Sequence, residues 1–182
     1  IFMFLDMKDS TTHAEVLGHI KFSLLIQDCI KDLTSAILQH QVEVYQYVGD
    51  EAVLTWKINE GLENANCLNV YYTFAHSLNA RKKHYEEKYG IMPFFKAGVH
   101  LGEVTVSEVG IIKREIAYHS DVLNTAARIQ GKCNEFAAEL LVSEEMEQSF
   151  NAHDGFAFED IGGISLKGKQ YPVVIYRVTK QY

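Results

Sequence analysis

Two aspartates stand where strands end or turn, and together their side chains could hold a cation. Asp6 closes an apolar strand at residues 1–6, and Asp50 lies in a Gly49-Asp50-Glu51 turn between two strand-like runs. If those strands are neighbours, both carboxylates lie at one edge of a sheet. A carboxylate pair there suits Mg²⁺, which takes oxygen ligands together with substrate phosphates. Taken singly, each aspartate has a commoner interpretation as a cap or turn residue.

A second polar pair lies in the stretch SDVLNTAARIQ at residues 120–130. On a helix, Asn124 and Arg128 are one turn apart and share a face. An amide and a guanidinium on one face can hold a ribose and stabilise negative charge on a phosphate. The alternative is an ordinary helix with a solvated polar stripe. Ser120 is well placed to cap the N-terminus of this helix.

The elements that position these residues alternate between helix and strand. Apolar spacing predicts helices at residues 11–40 with a break at Gly18, 59–89, and 121–131. Strands are expected at residues 42–48, 52–57, 94–100, 103–109, 115–119 and 140–142, with three more around Phe156, Ile164 and Val174. The pattern predicts an α+β (α/β sandwich) fold, with residues 1–182 forming a single domain around one mixed sheet.

Composition and charge exclude several classes of function. The 182 residues are 47 % hydrophobic, enough for a sizeable core, and the net charge of −7 argues against general nucleic-acid or anionic-membrane binding. The three cysteines lack metal or disulfide spacing, so we expect buried thiols in a reducing compartment. His100 is expected to be a packed structural residue. No apolar run is long enough to cross a membrane.

The chain opens directly on an apolar strand without an initiator Met. We therefore expect a piece of a longer protein, with a cytoplasmic location for this domain. Any contact with a membrane would run through segments outside this chain. The run at residues 163–169 approaches a phosphate-binding loop, but Gln170 stands where Ser or Thr would bind Mg²⁺ and a strand follows, so that interpretation is disfavoured.

Five segments in order resemble the catalytic domain of the class III adenylyl and guanylyl cyclases. They are the strand ending at Asp6, GDE at 49–51, GVHLGEV at 98–104, DVLNTAARI at 121–129 and LKGK at 166–169. The resemblance covers almost the whole chain. It implies a ferredoxin-like βαββαβ core with additional strands. It also implies conversion of a nucleoside triphosphate to a 3′,5′-cyclic monophosphate and pyrophosphate.

The resemblance also implies the metal-binding and catalytic residues. Asp6, Asp50 and the backbone carbonyl of Met7 would bind two Mg²⁺ or Mn²⁺ ions. These ions would hold the triphosphate and lower the pKa of the ribose 3′-hydroxyl, whose oxygen attacks the α-phosphorus. Asn124 and Arg128 would orient the ribose and stabilise the transition state. No general base is evident beyond Asp6 or water.

Basic and purine-reading residues are implied in the same way. Lys167 would bind the triphosphate, and Lys113 or Arg114 would contact the phosphates. Gln46 and Ala117 occupy the two purine-reading positions, where adenylyl cyclases typically have Lys with Asp or Thr and guanylyl cyclases have Glu with Cys. A glutamine amide both donates and accepts hydrogen bonds, so these residues do not decide whether the substrate is ATP or GTP. The base rate of the two activities within the family favours ATP as the substrate.

In this family each active site lies between two cyclase domains. One domain supplies the metal carboxylates, and the other supplies the purine, ribose and transition-state residues. This chain carries both sets, which predicts a head-to-tail, two-fold homodimer with two equivalent sites. The alternative is a cyclase-homology domain that has lost catalysis and acts as a dimerising or nucleotide-binding regulatory module. A domain of the diguanylate-synthesising kind is disfavoured because its GG-[DE]-EF signature is absent.

Overall fold

The fold is built around one large mixed sheet. The structure is a computed structural model that describes residues 1–150, 155–165 and 171–181. Its strands are β1 (Phe2–Met7), β2 (Glu43–Val48), β3 (Glu51–Thr55), β4 (Phe95–His100), β5 (Thr105–Val109), β6 (Glu115–His119), β7 (Leu140–Ser143), β8 (Phe156–Ile164) and β9 (Val173–Lys180). Its α-helices are α1 (Ser10–Gln39), α2 (Ile58–Leu62), α3 (Asn66–Ala80), α4 (Lys82–Tyr89), α5 (Asp121–Gly131) and α6 (Glu144–Glu147), and a 3₁₀ helix spans Glu63–Ala65.

The strand order of the main sheet is β2-β3-β1-β4-β7-β9-β8. The first four strands pair antiparallel, with β1 between β3 and β4. With α1 and α3 as crossovers, they form the predicted βαββαβ core. Strands β7, β9 and β8 extend the sheet beyond β4, and β4–β7 is a parallel pair. Strands β5 and β6 form a separate hairpin. The predicted α+β fold is therefore confirmed.

Strand β1 is covered on both faces, which explains why its sequence is apolar throughout. Met3 and Leu5 pack with residues of α1 and α3. Phe2 and Phe4 pack on the opposite face with residues of α5. Because side chains alternate along a strand, Asp6 follows Phe2 and Phe4 on the face that α5 covers.

The long first helix has the predicted break. Gly18 adopts φ 73° and ψ 163°, outside the helical range, and the helix continues beyond it. A positive φ is readily adopted by glycine because it has no Cβ. The predicted N-cap is also confirmed, since the Ser120 side chain accepts a hydrogen bond from the Val122 N–H at 3.1 Å.

The prediction of one continuous helix at residues 59–89 is wrong. Asn64 and Ala65 each have φ 50°, which ends the first helical segment. The buried Asn66 donates to the Glu60 carbonyl at 3.0 Å and pairs with His40 Nδ1 at 3.2 Å. These contacts hold the chain in a bend that apolar spacing cannot reveal.

The two strands predicted around Phe156 and Ile164 form a single strand in the structure. Strand β8 contains both Phe156 and Ile164, and its register against β9 shifts between Asp160 and Gly162. Gly162 has φ 95°, and its N–H donates to Asp160 Oδ1 at 2.7 Å. The Gly162-Gly163 pair therefore marks a bulge within a strand, where the sequence suggested a gap between strands.

The structure also describes the three cysteines, His100 and the lengths of the helices. Cys29, Cys67 and Cys133 are buried free thiols. His100 is buried, and its Nδ1 lies 2.8 Å from the Ser143 hydroxyl, as expected of a structural residue. Within the part of the chain that the structure describes, no helix combines the length and apolar character needed to cross a membrane.

Candidate functional site

The Asp6 and Asp50 side chains lie together at one edge of the sheet, as the sequence predicted. Asp6 pairs with Glu51 in the β1–β3 register, and Asp50 precedes Glu51 in the two-residue turn between β2 and β3. The turn is tight because Gly49 adopts φ 61°. Asp50 can thus be a turn residue and a cation ligand at the same time.

This edge of the sheet concentrates negative charge. Burial and the neighbouring Asp50 raise the pKa of Asp6 to about 6, although Lys96 and Gln130 act in the opposite direction. Burial, Asp6 and Asp50 also raise the pKa of Glu51. The neighbouring carboxylates therefore make ionisation of Asp6 and of Glu51 less favourable, as expected of like charges held close together.

The Asp6–Asp50 pair suits a hard divalent cation. Asp50 Oδ2 is buried, and among the described residues it has no hydrogen-bond partner. Such an oxygen is costly unless a cation or a donor satisfies it. Met7 is the last residue of β1, directly after Asp6. Across residues 1–150, 155–165 and 171–181, no group of three or more His, Cys, Asp or Glu side chains could hold a metal, so remaining ligands would come from Met7, water or substrate.

Helix α5 sits unusually close to the sheet. Gly98 in β4 makes this possible, because a Cβ there would lie 2.2 Å from the backbone nitrogen of Gln130 and 2.7 Å from the Ala126 carbonyl oxygen. Val122 and Ala126 pack on Phe2 in the core cluster beneath the helix. The close approach fixes which residues of α5 face the sheet and which face away.

Asn124 and Arg128 lie on the side of α5 that faces away from the sheet. Asn124 is exposed and Arg128 half-buried, whereas the buried residues of the helix are Val122, Thr125, Ala126, Ile129 and Gln130. Arg128 Nη1 is a buried donor for which the described part of the chain provides no acceptor. A phosphate oxygen is a suitable acceptor for such a donor.

Within one chain, the Asp6–Asp50 pair and the Asn124–Arg128 pair do not face each other. At about 100° per residue, Arg128 lies roughly 160° around the helix from Gln130, and Gln130 contacts Asp6. Asn124 and Arg128 therefore face away from the carboxylate pair of their own chain.

Of the two predicted purine positions, Gln46 lines a cavity and Ala117 lies in a strand that borders it. Gln46 lines a cavity of about 230 Å³ between β2 and β6, together with Tyr45, Ile116 and Tyr118. Ala117 is in β6 between Ile116 and Tyr118. The structure therefore brings β2 and the purine-position segment of β6 to one cavity, with Tyr118 as an aromatic wall.

The predicted basic residues lie elsewhere or outside the described residues. Lys113 and Arg114 are in the exposed turn of the β5–β6 hairpin, where Lys113 pairs with Glu115 and Arg114 Nη1 lies 3.1 Å from Glu108 Oε1. Neither pairing involves the aspartates. Lys167 lies outside the described residues. The phosphate-binding roles of all three remain predictions.

Two polar neighbours of Asp6 were missed by the sequence reasoning. Lys96 pairs with Asp6 in the β1–β4 register, and its Nζ lies 3.8 Å from Asp6 Oδ2. Gln130 Nε2 donates to the same oxygen at 3.1 Å. The sequence carries a sign of both contacts. Each of the two is a polar residue at a position where its strand or helix is buried and otherwise largely apolar.

A family model for the adenylate and guanylate cyclase catalytic domain matches residues 1–180. The chain is 26 % identical over 179 residues to adenylate cyclase 2 of Rhizobium meliloti (strain 1021), which covers 98 % of this chain and 49 % of that protein. This chain thus spans about half the length of that relative. Among solved structures, the adenylyl cyclase CyaB from P. aeruginosa superposes with a TM-score of 0.84 and 19 % identity over 100 % of this chain and 93 % of that one.

A guanylate cyclase structure is similar to a comparable degree. The guanylate cyclase domain of RhGC from Catenaria anguillulae, solved in complex with GTP, has a TM-score of 0.80 and 14 % identity over 100 % of this chain and 96 % of that one. At this level of identity, both superpositions establish the fold and leave the choice of base open.

Proposed function

The chain belongs to the family of adenylate and guanylate cyclase catalytic domains, and from this premise we propose that it converts ATP to 3′,5′-cyclic AMP and pyrophosphate. The observation that carries the proposal is the unpartnered, buried Oδ2 of Asp50 beside Asp6. Catalytically inactive relatives typically lose a metal aspartate or the Asn–Arg pair. Here Asp6, Asp50, Asn124 and Arg128 are all present.

Asp6, Asp50 and the Met7 carbonyl would hold two Mg²⁺ or Mn²⁺ ions. When bound, such ions neutralise phosphate charge and favour ionisation of the ribose 3′-hydroxyl. The contribution of the chain is a pair of partly buried carboxylates already placed side by side. Since their mutual repulsion is present before a cation arrives, binding of a cation relieves it.

The other residues of the site act on the nucleotide itself. Asn124 would hold the ribose, and Arg128 Nη1, which has no acceptor in the described part of this chain, would donate to an α-phosphate oxygen. Lys167 would bind the triphosphate. The 3′-oxygen forms a bond to the α-phosphorus, the bond to the bridging oxygen of pyrophosphate breaks, and the hydroxyl proton passes to water. Positioning and charge stabilisation supply most of the catalysis.

The active form would be a two-fold homodimer. The supporting observation is that Asn124 and Arg128 face away from the Asp6–Asp50 pair of their own chain. The β5–β6 hairpin adds a surface suited to association, because Ile111 and Ile112 at its turn are fully exposed. These two adjacent apolar side chains would be covered if the turn lay between the two copies.

ATP is proposed as the substrate because the curated relatives that match are adenylate cyclases. The cavity beside Gln46 is compatible with this choice, since the glutamine amide can donate to and accept from the edge of adenine. Ala117 contributes no side-chain hydrogen bond, so backbone groups of β6 would complete the recognition.

Product analysis tests the proposal. The purified protein is incubated at high concentration with Mn²⁺ and either ATP or GTP, beside Asp50→Ala and Arg128→Ala variants. We expect cyclic AMP from the wild type, little from either variant, and recovered activity when the two variants are mixed, because one complete site then forms per mixed dimer. A folded, dimeric wild type that makes no cyclic nucleotide from either substrate would overturn the proposal in favour of a regulatory module.

A further inference from the structure

Gln130 makes the contact that connects α5 to the carboxylate pair. Its Nε2 donates to Asp6 Oδ2 at 3.1 Å, and the residue is 7 % exposed. Lys96 Nζ lies 3.8 Å from the same oxygen, beyond hydrogen-bond distance. The charge of Lys96 balances that of Asp6, whereas Gln130 supplies a directional hydrogen bond to this carboxylate.

The backbone is arranged to permit this contact. Gly98 lies beneath Gln130 and leaves room for the C-terminal turn of α5 to rest directly on β4. Asp6 reaches the same side of the sheet because it follows Phe2 and Phe4 along β1. The backbone of Gln130 is therefore held against β4 by close packing, and the residue as a whole is buried.

We propose that Gln130 is a positioning residue that holds Asp6 for cation binding, so that α5 serves two active sites at once. The C-terminal turn of α5 orients the metal carboxylate of its own chain. The outward face of the same helix carries Asn124 and Arg128 to the site of the partner copy. The second half of this inference rests on the proposed dimeric cyclase, whereas the first concerns one chain alone.

The physical basis is the role of residues that orient a metal ligand. A hydrogen bond to one oxygen of a carboxylate restricts its rotation and aims the other oxygen. Loss of such a partner typically lowers metal affinity about 10- to 100-fold. Gln130 also lies about 160° around the helix from Arg128, so its removal need not disturb the outward face directly.

Mn²⁺ binding without nucleotide tests the first half. Gln130→Met and Gln130→Leu both remove the amide donor and replace it with an apolar side chain of similar size. We expect either variant to raise the Mn²⁺ dissociation constant, measured by electron paramagnetic resonance or calorimetry, about 10- to 100-fold. Gln27→Met is the matched control, since Gln27 is exposed on α1 and its hydrogen bond within the described part of the chain is to Ser23. Wild-type Mn²⁺ affinity in both Gln130 variants would overturn the proposal.

Mixed dimers test the second half. Combining an Asp50→Ala protomer with an Arg128→Ala protomer leaves one working site, whose aspartates come from the Arg128→Ala chain. Gln130→Met placed in that chain should raise the Mn²⁺ concentration at half-maximal activity. Placed in the Asp50→Ala chain, which supplies Asn124 and Arg128, it should not move that concentration.

The outcomes separate this inference from the proposed function. Equal loss of kcat from Gln130→Met in either chain, with no change in Mn²⁺ dependence, would mean that Gln130 only packs α5 and would overturn the inference. Failure of the proposed function would appear first, as absence of cyclic nucleotide from the wild type. The Mn²⁺ titration of the free protein remains decisive in that case, because it requires no turnover.

Discussion

The rings of Tyr45 and Tyr118 meet edge to face, with centroids 5.1 Å apart and planes at 77°. Phe2 joins them, its centroid 5.0 Å from that of Tyr118. This contact fastens the separate β5–β6 hairpin to β1 and β2 of the main sheet. Tyr45 and Tyr118 also line the cavity beside Gln46, so side chains from two sheets form its walls.

The base preference should change when the two purine positions are replaced. Guanylyl cyclases typically carry Glu and Cys there, so we expect Gln46→Glu with Ala117→Cys to raise the ratio of kcat/KM for GTP to that for ATP at least about 10-fold. The reason is that a carboxylate accepts from the guanine edge but offers adenine no donor. Competing-substrate assays with both nucleotides measure the ratio. Gln41→Glu, the same change outside the cavity, is the control, and an unchanged ratio in the double variant would contradict the assignment.

Asp50→Asn should remove most of the activity and stabilise the metal-free protein. Loss of a residue that merely orients a ligand costs about 10- to 100-fold, so loss of the proposed ligand should lower kcat/KM about 100-fold or more. In EDTA, the variant should gain about 1 kcal/mol in unfolding free energy, because repulsion with Asp6 is removed.

Thermal or urea unfolding with and without Mn²⁺ provides the control for that variant. Mn²⁺ should stabilise the wild type by mass action and leave Asp50→Asn nearly unchanged. The order of the two stabilities should therefore reverse when the metal is added. A variant less stable than the wild type in EDTA would show that Asp50 has a structural role in its turn instead.

Much of this site was accessible from sequence because its signals are local. An apolar run that ends at Asp6 and a Gly49-Asp50 turn both place a carboxylate at a strand end. The helical spacing of Asn124 and Arg128 places both on one face. In each case the periodicity of a single element decides where the side chain lies, and periodicity is what a sequence displays most directly.

What the sequence did not reveal depends on contacts between distant elements. The contact of Gln130 with Asp6 requires Gly98, 32 positions earlier, to let the helix approach the sheet. The bend at Asn64 follows from buried hydrogen bonds that Asn66 makes with His40 and Glu60. Neither pairing leaves a spacing pattern within one element, so a polar residue at a buried position is the only local sign.

Gly98→Ala should be strongly destabilising. A Cβ at this position would overlap the Gln130 backbone at 2.2 Å, and backbone cannot yield as a flexible side chain can. We expect the unfolding free energy to fall by about 3 kcal/mol, measured by urea denaturation. Gly131→Ala is the control, because a Cβ at residue 131 would meet nothing within 4 Å and the helix should tolerate or gain from alanine. Equal stability of the two variants would contradict the close approach of α5.

Ile111→Asp combined with Ile112→Asp should weaken dimerisation without weakening the fold. Both side chains are fully exposed in one chain, so charges there cost little to the monomer. If both are buried between copies, their loss removes about 3 kcal/mol or more of association free energy, or at least about 100-fold in dimer affinity. Sedimentation equilibrium measures the affinity. Val16→Asp, on an exposed position of α1, should leave it unchanged, and an unaffected dimer in the double variant would place the interface elsewhere.

The buried carboxylate of Asp28 should make stability depend on acid pH. Burial alone would raise its pKa, but hydrogen bonds from Lys88 at 2.8 Å, His84 and Tyr89 at 2.7 Å outweigh burial and lower the pKa below its usual range. A lowered folded-state pKa stabilises the protein above the unfolded value of about 3.9, and this stabilisation is lost as the pH falls through the folded value.

Asp28→Asn isolates this contribution. At pH 7 the variant should lose about 1–3 kcal/mol in unfolding free energy, because a charged acceptor of three hydrogen bonds is removed. The difference in unfolding free energy between the variant and the wild type should shrink as the pH is lowered from 5 to 3. The reason is that the stabilisation provided by the charged Asp28 carboxylate decreases below the unfolded-state pKa. Urea unfolding across this range measures both curves, with Glu87→Gln, in an exposed pair with Lys83, as a control expected to change little. A difference that stayed constant from pH 7 to pH 3 would mean that Asp28 contributes through packing and hydrogen-bond geometry, independently of its charge.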